Sequence, residues 1–304
     1  YFRVHEQRIL CAARTCHTDN LTPMHGRIIQ PISGIYHVAT ECGIIACRAR
    51  GIFRKKNIIP LAGDYVSITL LGEGEGVIDE ILPRRNSFIR PSVANIDVIC
   101  YVISARFPEP NELLLDKMTV LAAFKNVEIV LILNKTDLDE DQSARRLLGQ
   151  YRKLGYTVFE TCALQNESRA ALLEHLQNKT VIFSGNTGVG KSSLLNTLSP
   201  GIEAKVSEIS EKLGRGRHTT REITLYAAEN GMLLGDTPGF GNIDLTLEPD
   251  LTPERLPHCF PEFRPWITQC RFADCTHTGE YGCMLAQKAA AHEILPTRYQ
   301  SYLQ

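Results

Sequence analysis

The sequence predicts a multidomain chain: an N-terminal OB-like β-barrel, a central α/β domain on a parallel sheet, and a C-terminal, mostly helical domain held by a metal. Three observations predict it. Glycines at 26, 34, 43, 51, 63, 72, 74 and 76 punctuate short alternating segments. Apolar runs at 96–103, 127–133 and 180–183 alternate with helical patterns. Cys270, Cys275, His277 and Cys283 crowd into one short stretch.

The barrel comes first. Residues 34–38 and 64–70 alternate polar and apolar side chains, as strands with one buried face do. Closely spaced strands with glycine turns suit a small barrel or sandwich, and the short span of 26–90 suits an OB-like barrel. Residues 1–25 are expected to be an extension of unassigned structure. The chain does not open on Met, so this stretch carries no weight in the reading.

The α/β domain is expected over 91–245. Helical patterns around 112–124 and 143–154 flank the apolar run at 127–133, and a short strand at 157–159 leads to a helix at 167–176. Buried strands alternating with helices mean a parallel sheet covered on both faces. Residues 246–304 begin with five prolines between 249 and 265 and end with a helix expected around 284–293.

Bulk properties narrow the function. A net charge of -1 argues against a protein coated in nucleic acid, yet Arg48, Arg50, Arg54, Lys55 and Lys56 cluster, as do Lys212, Arg215, Arg217 and Arg221. No run of eighteen apolar residues occurs, so no transmembrane helix and no membrane partner are expected. The N-terminus does not read as a signal peptide. Ten cysteines without such a signal read as reduced thiols in the cytoplasm, with any tight cluster binding metal.

Gly185-Asn186-Thr187-Gly188-Val189-Gly190-Lys191-Ser192 matches the phosphate-loop pattern G-x-x-x-x-G-K-S, with an apolar strand before it and a helical run from Ser193 after it. Glycines let backbone N–H groups point at phosphate oxygens, and the helix N-terminus adds favourable partial charge. Lys191 is expected to reach the β- and γ-phosphates and Ser192 to ligate Mg²⁺. Asn134-Lys135-Thr136-Asp137 follows another apolar strand and matches N-K-x-D. A carboxylate at Asp137 can accept from guanine N1–H and the 2-amino group; over adenine it would be left unpaired. Asn134 is expected to brace the base and the phosphate loop, with the Lys135 stem along the base plane. Asp236-Thr237-Pro238-Gly239 matches D-x-x-G, with Asp236 on Mg²⁺ through water and the Gly239 N–H sensing the γ-phosphate.

Between these motifs lies Gly214-Arg215-Gly216-Arg217-His218-Thr219-Thr220-Arg221, where one Thr should complete the Mg²⁺ shell, Thr220 in preference to Thr219. Phe240 stands where many GTPases carry a water-orienting Gln, which predicts slow intrinsic turnover. Two readings stay open for His218: a group that replaces that Gln, or a solvated or RNA-contacting side chain. Ala163, in Thr161-Cys162-Ala163-Leu164, sits where a base-backing loop belongs. The order is rotated: N-K-x-D precedes the phosphate loop, which precedes D-x-x-G. A circular permutation keeps the site, because termini tend to lie close together. It also makes the switch lead straight into the C-terminal domain.

Cys270, Cys275, His277 and Cys283 read C-x₄-C-x-H-x₅-C. Three thiolates and one imidazole match a closed structural zinc shell with no open position for catalysis. Cys259 is a stray candidate ligand. Cys42 and Cys47 repeat the x₄ spacing, as do Cys11 and Cys16, and read as ordinary cysteines.

Together these features resemble one family, the circularly permuted, small-subunit-dependent GTPases of the RsgA/YjeQ type. The resemblance covers about residues 26–304. It rests on the nucleotide and cysteine motifs, on Gly34-Ile35-Tyr36, Pro60-Leu61-Ala62-Gly63-Asp64, Arg90-Pro91 and Asn95-Ile96-Asp97, and on Arg298-Tyr299 with Ser301-Tyr302. Gly279-Glu280-Tyr281-Gly282 departs from it, since Pro commonly precedes that Gly. The resemblance implies a cytoplasmic, monomeric GTPase in late maturation of the 30S subunit, stimulated by the ribosome and binding GTP/GDP with Mg²⁺. It also implies that the barrel and zinc domain contact 16S rRNA. A nucleotide-dependent RNA-binding module with incidental hydrolysis is the competing reading.

Overall fold

The computed structural model describes residues 23–72, 74–162, 166–200, 223–236 and 243–304. The chain divides into two compact units. One runs to Val98 and adds 169–183 and 192–238; the other holds 99–168, 184–191 and 239–304.

The first unit begins with the expected barrel. β1 (Met24–Ile32), β2 (Ile35–Thr40) and β3 (Gly43–Ala49) form a meander. A helix α1 (Gly51–Lys55) then leads to β4 (Tyr65–Gly72) and β5 (Glu75–Ile81). The closed order is β1-β2-β3-β5-β4, with β3 and β5 parallel and the other pairs antiparallel. The β1–β2 turn is Ser33-Gly34, both at positive φ (48° and 83°), which matches the twist of a two-residue hairpin. Alternation sends Ile28, Val38, Ile45, Cys47, Val66, Ile68 and Ile78 inward, and Phe53 of α1 joins them.

Two short strands, β6 (Ser87–Phe88) and β7 (Val93–Ala94), follow the barrel. Gly63, at φ 91°, touches this segment so closely that a Cβ would run into the Ala94 carbonyl. Asp64, fully buried, accepts from Leu61 N and from Nε and Nη2 of Arg84. The first unit also contains most of the strand now called β11 (Thr180–Ser184), β12 (Leu225–Ala227) and β13 (Leu233–Asp236). β11 pairs with β13 in parallel, but β12 is antiparallel to β13, a departure from an all-parallel sheet. A hairpin between β12 and β13 needs only a short turn, at 228–232, so no crossover helix intervenes.

The second unit holds β8 (Val98–Ser104), buried along its whole length, then α2 (Glu112–Phe124), β9 (Glu128–Asn134), α3 (Ser143–Lys153) and β10 (Thr157–Glu160). α2 starts where Asn111 Oδ1 accepts from Leu114 N at 3.0 Å, an N-cap. β9 and β10 are parallel, as expected for strands joined through a helix. Helices α4 (Asn166–Leu176) and α5 (Lys191–Leu198) flank β11 in sequence.

The C-terminal part is built of short helices, as expected, both 3₁₀ and α. Its proline-rich stretch forms 3₁₀ turns at Leu256–Cys259 and Pro261–Phe263, because proline lacks the N–H that a continuing helix needs. Only α6 (Met284–Ala290) and α7 (Pro296–Tyr302) are α-helical. The helix expected at 284–293 stops early, and His292 lies beyond it at φ 57°. Phe260, Phe263, Leu285, Ile294, Tyr299 and Tyr302 form the core here, joined by Val120 of α2.

Candidate nucleotide and metal sites

β11 is apolar and buried on both faces, and the chain leaves it at Gly185 into a loop that ends at Lys191. Gly185, Gly188 and Gly190 all have positive φ (141°, 84° and 95°). Two of them are also sterically bound to be glycine. A Cβ on Gly185 would meet the Val102 carbonyl, and one on Gly190 would meet the Asn134 amide. Val189 is buried and anchors the loop, whereas Thr187 and Gly188 are exposed. Lys191 Nζ donates to the Gly185 and Asn186 carbonyls at 2.7 and 2.9 Å. Ser192 and Ser193 are exposed in the first turn of α5.

The N-K-x-D segment meets this loop directly. Asn134 ends β9, and its Nδ2 donates to the Val189 carbonyl at 2.8 Å. Thr161 Oγ1 donates to Asn134 Oδ1 at 3.2 Å, which fixes the amide's orientation. Lys135 takes a left-handed turn (φ 57°), and its Nζ donates to the carbonyls of Phe107 and Gly188 at 2.8 and 2.7 Å. Thr136 is buried and donates through N and Oγ1 to the Thr161 carbonyl. Asp137 remains exposed, and only the Cys162 thiol donates to it among the described hydrogen bonds, at 3.3 Å. Asp139 caps α3 by accepting from Ala144 N and Arg145 N, so the acidic run has a local structural use as well.

Asp236 ends β13, pairing with Phe183 of β11. Its side chain lies outside the described residues, as do Ala163, His218, Thr219, Thr220, Gly239 and Phe240.

The four metal-ligand candidates converge. The donor atoms of Cys270, Cys275, His277 and Cys283 all lie within 4.8 Å of one another. Three sulfurs and one ring nitrogen at that spacing fit a tetrahedral dication. Met284 N donates to Cys270 Sγ at 3.3 Å, a backbone bond that favours a thiolate. Burial holds the His277 imidazole below its ordinary pKa, which favours the neutral, ligating form. Cys259 is buried elsewhere, with its thiol turned to the Arg255 carbonyl, and does not belong to the group. Sequence reading did not foresee what braces this loop: Tyr299 OH donates to the His277 carbonyl (2.9 Å) and Tyr302 OH to the Thr276 carbonyl (2.6 Å). Their i, i+3 spacing on α7 was the available signal. Of the remaining cysteines, Cys47, Cys100 and Cys162 are free thiols.

Comparison with known proteins agrees with this geometry. A family model described as RsgA GTPase matches residues 81–246, and one described as RsgA N-terminal domain matches residues 25–78. The chain is similar to proteins named small ribosomal subunit biogenesis GTPase RsgA. One, from Caldanaerobacter subterraneus subsp. tengcongensis, is 45% identical over 280 residues, covering 92% of this chain and 94% of its own. Another, from Bacillus subtilis, is 39% identical over 287 residues, covering 92% and 95%. The crystal structure of YjeQ from Thermotoga maritima matches with a TM-score of 0.76 and 33% identity, over 93% of this chain and 96% of that one. YloQ, described as a circularly permuted GTPase, matches with a TM-score of 0.75 and 35% identity, over 95% and 96%.

Proposed function

Because the chain belongs to the RsgA family of GTPases, we propose that it hydrolyses GTP to GDP and phosphate in the biogenesis of the small ribosomal subunit. The observation that carries the proposal is the junction of two motifs separated by half a hundred residues. Asn134 and Lys135 each bond into the phosphate loop, at Val189 and Gly188, although the loop follows them in sequence.

Each side chain has a defined task in this reading. Asp137 accepts from guanine N1–H and the 2-amino group, and its exposed carboxylate is available to do so. The segment after β10, Thr161-Cys162-Ala163 in sequence, backs the base. Asn134 and Lys135 hold the base-reading segment against the loop. Gly185, Asn186, Thr187, Gly188, Val189 and Gly190 present backbone N–H groups to the phosphates. Lys191 turns its ammonium from the loop's own carbonyls to the β- and γ-phosphates. Ser192, Thr220 and, through water, Asp236 would hold the Mg²⁺ that accompanies GTP, and the ion would supply positive charge against the phosphates. Gly239 senses the γ-phosphate, and His218 is the proposed water-orienting group. The Cys₃His group holds zinc and stabilises the C-terminal part.

The proposed partners are the 30S subunit and its 16S rRNA, met by a cytoplasmic monomer. Exposed Arg48, Arg54, Lys55 and Lys56 beside α1 support an RNA-facing barrel. No helix among the described residues is long and apolar enough to cross a membrane.

The test is GTP turnover with purified 30S subunits, 50S subunits or neither, repeated for Asp137→Asn. Stimulation by 30S alone, with guanine selectivity weakened in the variant, is expected. Equal rates in all three conditions would overturn the small-subunit reading and leave hydrolysis incidental to nucleotide-dependent binding.

A further inference from the structure

Strand β1 sends two side chains out of the barrel. Arg27, 6% exposed, donates from Nη1 to Thr180 Oγ1 (2.8 Å), from Nη2 to the Asn95 carbonyl (2.9 Å) and from Nε to the Gly63 carbonyl (3.2 Å). Thr180 is the first residue of β11, the strand that runs into the phosphate loop, and its N–H is held by Asp97 Oδ2 at 2.8 Å. Three residues beyond Arg27, Gln30 Nε2 donates to Thr224 Oγ1 at 2.9 Å across 194 residues of sequence. The β1–β2 register shifts between Ile28 and Gln30. Such irregularities re-aim side chains; Ile29 is the extra residue here, and directly after it Gln30 keeps its ladder place opposite His37 while its side chain reaches Thr224.

Thr224 occupies a sensitive position. It immediately precedes β12, where Leu225 pairs with Gly235. The same register, carried one residue on, sets Thr224 level with Asp236. Along the chain it stands four residues after Thr220.

We infer that Gln30 is a positioning residue for the stimulation of hydrolysis, not for the basal reaction, tying the barrel to the strand pair that carries the switch aspartate. What seats on the barrel then acts on the switch through Thr224, while Arg27 fixes the same strand to the root of the phosphate loop. The identity of the seated partner rests on the proposed function; the link itself does not. One neutral hydrogen bond can be made and broken as the switch changes state, unlike the threefold anchor at Arg27. Coupling is reciprocal, so the nucleotide must also act on β1.

Hydrogen exchange of the full chain tests the link without ribosomes. With GDP and then a non-hydrolysable GTP analogue, the amides of residues 27–32 are expected to exchange at rates differing by about fivefold or more. The difference should collapse in Gln30→Leu and in Thr224→Val. Stimulation by small subunits should fall by about fivefold or more in both variants, with subunit-free turnover and subunit binding kept within about twofold. Identical β1 exchange with both nucleotides overturns the inference. So does a difference that survives both substitutions, even if both lower the melting temperature, because Gln30 would then be a structural contact only. A nucleotide-responsive β1 in a chain whose turnover ignores small subunits would keep the link and sink the functional reading.

Discussion

Arg298 and Asp116, 182 residues apart in sequence, form an ion pair closed off from solvent, with Nη1 2.6 Å from Oδ1. The guanidinium is fully used. It also donates to Thr119 Oγ1, to both oxygens of Glu262 and to Tyr156 OH. The rings of Tyr151, Tyr156 and Phe260 surround it. Tyr151 OH donates to the same Asp116 oxygen at 2.5 Å, and burial, reinforced by the Asp116 charge, pushes its phenol well above the usual range, so it stays a donor. This cluster fastens α7 of the C-terminal part to α2 of the nucleotide-binding part.

Arg298→Met is therefore expected to cost about 3–5 kcal/mol, because it strands buried carboxylates rather than merely deleting a contact. Adding Asp116→Asn should recover part of that loss. Urea denaturation of the two variants and the parent measures both.

Gly190→Ala is expected to spare the fold and weaken nucleotide binding. The new Cβ at φ 95° would displace the Asn134 amide and break its bond to Val189. A loss of about tenfold or more in GDP affinity follows from about 1–3 kcal/mol for the lost bond and strained loop. Titration with a fluorescent guanine nucleotide reads it.

Removing the proposed zinc should act on the C-terminal part alone. Cys283→Ser, or chelation of the parent, is expected to lower the melting temperature by about 5 °C or more, the shift of roughly 1 kcal/mol in a domain of about 60 residues. GDP affinity should stay near the parent's, because no ligand of the Cys₃His group belongs to the nucleotide motifs. Zinc content by atomic absorption accompanies the melt.

Cys47 should resist alkylation while Cys162 reacts. Burial in the barrel core, with the Asp79 charge adding to it, pushes the Cys47 thiol up to about 11. The reactive thiolate is thus scarce below that pH, and the closed barrel excludes reagent. Mass spectrometry after iodoacetamide treatment at pH 8 should find Cys162, half-buried beside Asp137, modified before Cys47.

Much of the fold was legible because its signals are local. Helix α2 was expected at the residues where it forms, since its apolar pattern lies within one segment. The antiparallel β12 was not expected, because three residues carry too little pattern to reveal a pairing direction. The C-terminal part was expected to be helical, but the 3₁₀ type of its first helices was not foreseen, although the prolines that cause it were visible.

The sequence by itself determined the chemistry: a phosphate loop, a guanine-reading tetrapeptide, a switch motif and a metal-ligand set, each a short string whose residue types are dictated by the ligand. Tertiary structure alone decided how distant strings meet. Asn134 reaches Val189, Arg298 reaches Asp116, and Gln30 reaches Thr224 only after strands and helices are packed. Such contacts depend on the paths of whole elements, and on a polar group finding its partner once water is excluded, so no local pattern announces them.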